Sequence, residues 1–210
     1  MKKYYKQIHL WLSLPAGILI SIICLTGAIL VFKDELLAWM GYESIKGSPL
    51  MWVMKLHRWL MDDTRTWGKM LVGISTLFFI FILISGLTVY WPKKWKKSHL
   101  TVSHVKGRRR LLFDLHTVLG IYAAIILLAC ALTGLMWSFQ WYRDGVAFLF
   151  DTEIKKGAPA WAVVKAIHFG NFAGLPSKIL YFVAALIGAS LPITGYWMYW
   201  KKRKCRMQQK

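Results

Sequence analysis

Four apolar runs, each long enough to cross a lipid bilayer, leave this chain few folds to choose from. They are Ile8–Phe32, Trp67–Trp91, Leu111–Phe139 and Leu175–Trp200. A hydrocarbon core of about 30 Å takes about 20 residues of helix at about 1.5 Å each. A soluble helical bundle would show polar stripes every third or fourth residue. Between Leu71 and Tyr90 the polar side chains are Ser and Thr, which fits contact with lipid. The first run does not read as a cleaved signal peptide. It is too long, and Lys33-Asp34-Glu35 follows where small cleavage-site residues would stand. The predicted fold class is an all-α integral membrane protein of four transmembrane helices.

A net charge of +19 over 210 residues raises the question of nucleic acid, and the charge distribution answers against it. Seventeen Lys and Arg lie before the first run, between the second and third, and after the fourth, with Asp114 as their only acid. The other two loops carry 11 basic and 8 acidic residues. Balances of +16 and +3 on the two sides follow the positive-inside pattern. Both termini are therefore expected in the cytoplasm, with the basic loop against anionic lipid headgroups. Cys24 and Cys130 lie inside apolar runs and Cys205 in the basic tail. With no CxxC, neither a disulfide framework nor a zinc site is expected.

The four runs are two copies of one plan. Shifted by 107 positions, His9–Phe32 falls on His116–Phe139 without a gap, and eight of 24 positions are identical. Shifted by 109, Trp67–Trp91 falls on Pro176–Trp200, with Lys69, Gly86, Tyr90 and Trp91 among the matches. Matched leucines between apolar runs decide nothing. The aligned His, Leu-Thr-Gly, Lys and Gly-x-x-x-Tyr-Trp are harder to obtain by accident. The reading is a single membrane domain built as a tandem duplication, repeat one about 1–97 and repeat two about 108–204. Two spans per repeat make both copies enter from one side, related by a pseudo-two-fold axis along the membrane normal.

That axis turns scattered histidines into pairs. His9 is expected to oppose His116 near the cytoplasmic face, and His57 to oppose His168 near the outer face. Histidine inside a membrane is costly unless it has a partner or a task. Two neutral imidazoles from two segments are the donor set of a bis-histidine haem, whereas zinc wants three or four ligands. His99 and His104 have no counterpart in the first half and are set aside.

Small residues flank the first helix's histidine on its own face: Ser13, Ala16 and Gly17 after His9, and Gly120, Ala123 and Ala124 after His116. Such a strip serves either a flat macrocycle or close helix packing. Gly27 and Gly134, five turns or roughly 27 Å beyond each histidine, are expected at the depth of His57 and His168, leaving room for a second macrocycle. Lys55, Arg58 and Lys165 are candidate partners for haem propionates, or plain outer-surface charges. Trp39, Trp52 and Trp161 are expected at the outer interface, with short helices around Leu36–Met40 and Trp52–Leu60.

The stretches "IHLWLSLPAG" with "LTGAILVFKDEL", "KLHRWL" with "GKMLVGISTLFFIFILISGLTVYWP", "DLHTVLGIYAA" with "ALTGLMWSFQWYRDG", and "IHFGNFAGLPSKILYFVAALIGASLPITGYWMYW" together resemble the PepSY-associated transmembrane helix family. The resemblance implies a bacterial inner-membrane protein. Some members are ferric-siderophore reductases carrying b-type haem, others are known only as iron-regulated membrane proteins. It further implies that His9, His57, His116 and His168 are the family's membrane histidines. Larger members carry folded periplasmic PepSY modules between the spans. Here the outer loops, Lys33–Thr66 and Gln140–Gly174, are too short for a full module, so the chain resembles the minimal membrane core.

The leading expectation is transmembrane electron transfer through two b-type haems to an outer acceptor such as a ferric chelate. No GxGxxG stretch opens a helix, so the donor is external, a quinol or a flavoprotein. The competing expectation is a haem-free accessory or structural subunit of a metal-uptake or envelope system. A small transporter is less favoured, because no acidic residue is expected inside a span to couple ions.

Overall fold

The computed structural model describes residues 2–92, 94, 96, 99–103, 107–155 and 157–207, with the backbone alone for 202–206. Lys93, Lys97, His104, Lys106 and Lys210, and the side chain of Cys205, lie outside what is described. The described residues are all-α and contain no strand. Four helices are long and apolar enough to cross a membrane: α1 (Lys2–Val31), α4 (Trp67–Tyr90), the stretch Gly107–Ser138 and α9 (Leu175–Met207). The third comprises α5 (Gly107–Asp114), a π-helical segment Leu115–Leu119, and α6 (Gly120–Ser138).

These helices form a ring. α1 lies along α9 and α4, and α6 closes the ring against the same two, so α1 stands opposite α6. The centre is filled by Ala16, Ile20 and Cys24 of α1, Phe79, Ile82 and Leu83 of α4, Ala123, Leu127 and Ala131 of α6, and Ala184 of α9. Outside, Ile18, Leu25, Phe81, Ile125 and Ile193 are exposed. An apolar belt of this extent needs a bilayer to cover it, so the protein is a multi-pass membrane protein in contact with lipid. At the end carrying both termini α1, α5 and α9 run beyond the apolar runs through Lys- and Arg-containing turns, residues that favour helix.

At the opposite end, short helices fold back onto the bundle. α2 (Lys33–Met40) opens with Asp34 and Glu35, whose charges suit a helix N-terminus, and stops at Gly41 in the left-handed region. α3 (Leu50–Trp59) lies on α1 and α4. Its return into α4 is built on Asp62, whose carboxylate accepts the N–H groups of Thr64 (3.0 Å), Thr66 (3.0 Å) and Gly68 (2.9 Å). At Gly68 the chains touch: a Cβ there would stand 1.7 Å from the Trp59 carbonyl oxygen. α7 (Gln140–Leu149) and α8 (Pro159–Phe169) follow α6; α8 lies on α6 and ends at Gly170. Lys178 of α9 pairs with Glu35 of α2 at 2.6 Å.

The Leu36–Met40 and Trp52–Leu60 segments are helical as the sequence predicts, and Trp39 and Trp52 are exposed. Trp161 is half-buried and packs against Trp137 at 4.7 Å between ring centroids, the planes tilted by 47°. One expectation is corrected. Asp114 lies inside the third long helix and is 2% exposed. It survives there because Arg110 reaches it at 2.8 Å and the Ser103 N–H donates to it at 3.2 Å. The case against a transporter from missing intramembrane acids therefore falls.

Candidate functional site

Each of the four histidines sits in a seat made by a neighbouring helix. His57, in the last turn of α3, points its Nδ1 at the Ile23 carbonyl (2.9 Å) and the Thr26 hydroxyl (3.1 Å) of α1. His168, in the last turn of α8, points its Nδ1 at the Cys130 carbonyl (3.0 Å) and the Thr133 hydroxyl (3.0 Å) of α6. His9 of α1 uses α4, through the Ile82 carbonyl (3.0 Å) and the Ser85 hydroxyl (3.3 Å). His116, in the π segment, uses the Thr194 hydroxyl of α9 (2.8 Å).

The next residue on each seating helix completes the pattern. A Cβ at Gly27 would stand 3.1 Å from His57 Cε1, and one at Gly134 would stand 3.2 Å from His168 Cε1. The distances are 3.1 Å between Gly86 and His9 Cε1, and 3.6 Å between Gly195 and His116 Cε1. The first two seats differ in register by 107, and the second two by 109. Thr-Gly within Leu-Thr-Gly thus has a chemical meaning: the hydroxyl, with a carbonyl from the preceding turn, takes the ring's proton, and the missing side chain admits its edge.

These bonds fix the tautomer. A carbonyl oxygen only accepts, so Nδ1 of His9, His57 and His168 carries the proton. Thr194 donates its own proton to the Leu191 carbonyl (2.9 Å) or that of Ser190 (3.2 Å), which leaves its oxygen to accept from His116. The Nε2 lone pairs are left over. Among the described residues no Nε2 of the four has a hydrogen-bond partner, and no buried polar side-chain atom is sealed without one, so each faces open volume. Burial pushes the His57 and His168 imidazoles down to about 4, against the opposing pull of the Ile23 and Cys130 carbonyls. Both are neutral at physiological pH, the form that binds metal.

The rings face each other in pairs. Centroids of His57 and His168 are 6.4 Å apart, with planes at 54°. Those of His9 and His116 are 6.3 Å apart and perpendicular. A five-membered ring with bonds of about 1.33 Å has a radius of about 1.1 Å, and imidazole nitrogen binds a metal at about 2.0–2.1 Å. Two imidazoles on opposite sides of one metal ion therefore stand about 6.3 Å apart. Among the described residues, no three His, Cys, Asp or Glu side chains gather as a metal site. Each pair thus offers two protein ligands, and the donor set fits a metal whose remaining ligands arrive with it, as in a macrocycle.

The family described as PepSY-associated TM region matches residues 6–49, 41–163 and 150–202. This chain belongs to that family. No curated protein matches the chain. The family match spans all four histidines and both seat patterns.

The His57–His168 pair lines a cavity of about 190 Å³ between α1, α3, α4, α6, α8 and α9, with walls from Phe79, Leu127, Trp137 and Phe169. Gly27 and Gly134, expected to leave room for a second macrocycle, line this cavity, and each also admits the edge of its imidazole. On the small-residue strip, Gly17 serves helix packing: a Cβ would stand 2.6 Å from the Tyr196 hydroxyl of α9. Of the cations singled out from sequence, Arg58 lies on the cavity wall. Lys55 is paired with Asp63 at 2.6 Å, and Lys165 is exposed away from the lining. Sequence reasoning missed Lys33 and Lys69, which line the cavity too. Lys69 had surfaced only as a repeat match. His99, set aside from sequence, has its carbonyl bound by the Tyr90 hydroxyl at 2.9 Å.

Proposed function

We propose that this protein is a bis-histidine b-type haem carrier of the bacterial inner membrane, passing electrons outward to an acceptor such as a ferric chelate. The observation that carries the reading is the facing of four seated imidazoles in two pairs, 6.3 and 6.4 Å between centroids, with Nε2 unbound in each. His9 and His116 would hold one haem, His57 and His168 the other. When bound, haem supplies reversible one-electron chemistry with no open iron position.

The protein's own residues do the rest. Seat carbonyls and hydroxyls hold each Nδ1–H, fix the ring's rotation and make Nε2 a better donor. α1 carries both His9 and the seat of His57 along one continuous helix, so the two pairs are separated along the membrane normal. With His9 and Gly27 18 residues apart, the separation is roughly 27 Å at ~1.5 Å per residue. The apolar centre between them, with Phe79 and Leu127, keeps water out. A tandem duplication with a pseudo-two-fold axis accounts for seats that recur at register shifts of 107 and 109. The positive-inside distribution puts both termini, and the His9–His116 end, in the cytoplasm. A quinol or a separate flavoprotein is the donor, because the sequence offers no nucleotide-binding glycine motif.

Proteoliposomes test this. Protein isolated from cells with ample haem should show a Soret peak and, with dithionite, a sharp α band. With reductant trapped on the terminal side and a ferric chelate outside, ferrous iron should appear outside. Absence of the Soret peak would overturn haem binding in favour of an accessory role. A haem spectrum without outward reduction would overturn the transfer.

A further inference from the structure

Some cations at the end of the bundle opposite the termini are matched to anions. Lys55 has Asp63, Lys155 has Glu153, and Lys178 has Glu35. Lys46, Arg58, Arg65, Lys69, Arg143 and Lys165 have no ion-pair partner among the described residues, and of these only Arg58 and Lys69 line a cavity. Both line the cavity that carries His57 and His168, and Lys33 lines it with them. Arg58 lies over the Trp59 ring at 4.8 Å, and Lys33 reaches over Phe169 at 5.7 Å while touching Asp34 at 2.5 Å. The remaining wall is apolar or aromatic. Two unmatched cations beside such a wall are costly unless an anion joins them.

The arrangement is one-sided. Aligning His57 with His168, a shift of 111, lays Arg58 on Phe169, and the shifts of 107 and 109 lay Lys33 on Gln140 and Lys69 on Lys178. Of those counterparts only Lys178 is charged, and Glu35 already holds it at 2.6 Å. The positive edge of the cavity therefore belongs to α3 and α4. The edge towards α8 offers Trp137 and Phe169, with Trp137 5.0 Å from the His168 ring.

We infer that Arg58 and Lys69, with Lys33 beside them, form a carboxylate-binding edge that takes the haem propionates at the outer pair and sets which way round the macrocycle lies. The inference rests on the haem reading above. Lys55 and Lys165, proposed from sequence for this role, are replaced by Lys33 and Lys69. Guanidinium and ammonium donors to carboxylate are charge-assisted hydrogen bonds, and each adds about tenfold or more in affinity when shielded from water.

Reconstitution of the haem-free full chain in detergent with haem b and, separately, with its dimethyl ester tests this. The ester keeps the ring and loses both carboxylates. The wild-type outer centre should hold haem b at least tenfold more tightly than the ester, and R58Q/K69Q should bind the two alike. R58K/K69R should restore the preference. Equal binding of haem b and ester by the wild type, with paired-histidine spectra from both, would overturn this inference and leave the haem reading standing. Binding of neither would overturn both. The wild-type comparison needs no variant to fold.

Discussion

Replacing His57 or His168 by alanine should remove the same haem, and replacing His9 or His116 should remove the other. The facing of the rings makes this a demanding expectation. A single imidazole left in an apolar cavity gives a five-coordinate, weakly held site, so either change in a pair costs nearly the whole centre. The double change within a pair should then be scarcely worse than the single one, since residues acting as a unit are not additive. Changes in both pairs should leave a colourless protein. Haem content per polypeptide and the reduced α band report all of this. Loss of one shared haem by His9→Ala and His57→Ala would show that the pairing runs along the bundle and not across it.

Bulk added at the seating glycines should damage ligation without removing a ligand. A Cβ at Gly27 or Gly134 meets its imidazole at 3.1 or 3.2 Å, tighter than ordinary contact, so even alanine moves the ring by a few tenths of an ångström. Metal–nitrogen distances tolerate only about ±0.2 Å. Valine should push the ring off the metal, converting the outer centre from low to high spin at a cost of about 1–3 kcal/mol in bundle stability. The inner pair should be graded: Gly86→Ala, at 3.1 Å from His9, disturbs its centre more than Gly195→Ala, at 3.6 Å from His116. Gly145→Ala is the control, because nothing lies within 4 Å of its Cβ position. Optical spectra of the five variants check this. Equal behaviour at Gly27 and Gly145 would contradict the seats.

Sequence gave up the long helices readily, because a bilayer demands length and apolarity, and both are plain in the runs. Helices α7 and α8 were not foreseen. At 10 and 11 residues they carry no length signal, and α2 and α3, no longer than these, are read only beside Trp39 and Trp52 at the expected interface. The π segment at Leu115–Leu119 is likewise silent, since its counterpart around His9 is ordinary α-helix. At the site, the histidines were legible because the repeat aligned them. Their partners were not. Ser and Thr inside membrane helices usually bond back to their own helix, as Thr26 does to Ile22 at 2.7 Å, and nothing in the sequence says which hydroxyl also accepts from an imidazole. Gly86 passed as a repeat marker when it was a seat, and Lys69 passed as one when it lined the cavity. Lys55 looked free until the turn brought Asp63 to it.

The most direct test of the two facing pairs is the low-temperature electron paramagnetic resonance spectrum of the oxidised protein, recorded with its haem-to-polypeptide ratio. Two haems per chain, giving two low-spin ferric signals with the perpendicular His9–His116 pair the more anisotropic, is the expected result. A high-spin signal from iron bound by one imidazole, or a folded chain that takes up no haem, would contradict it.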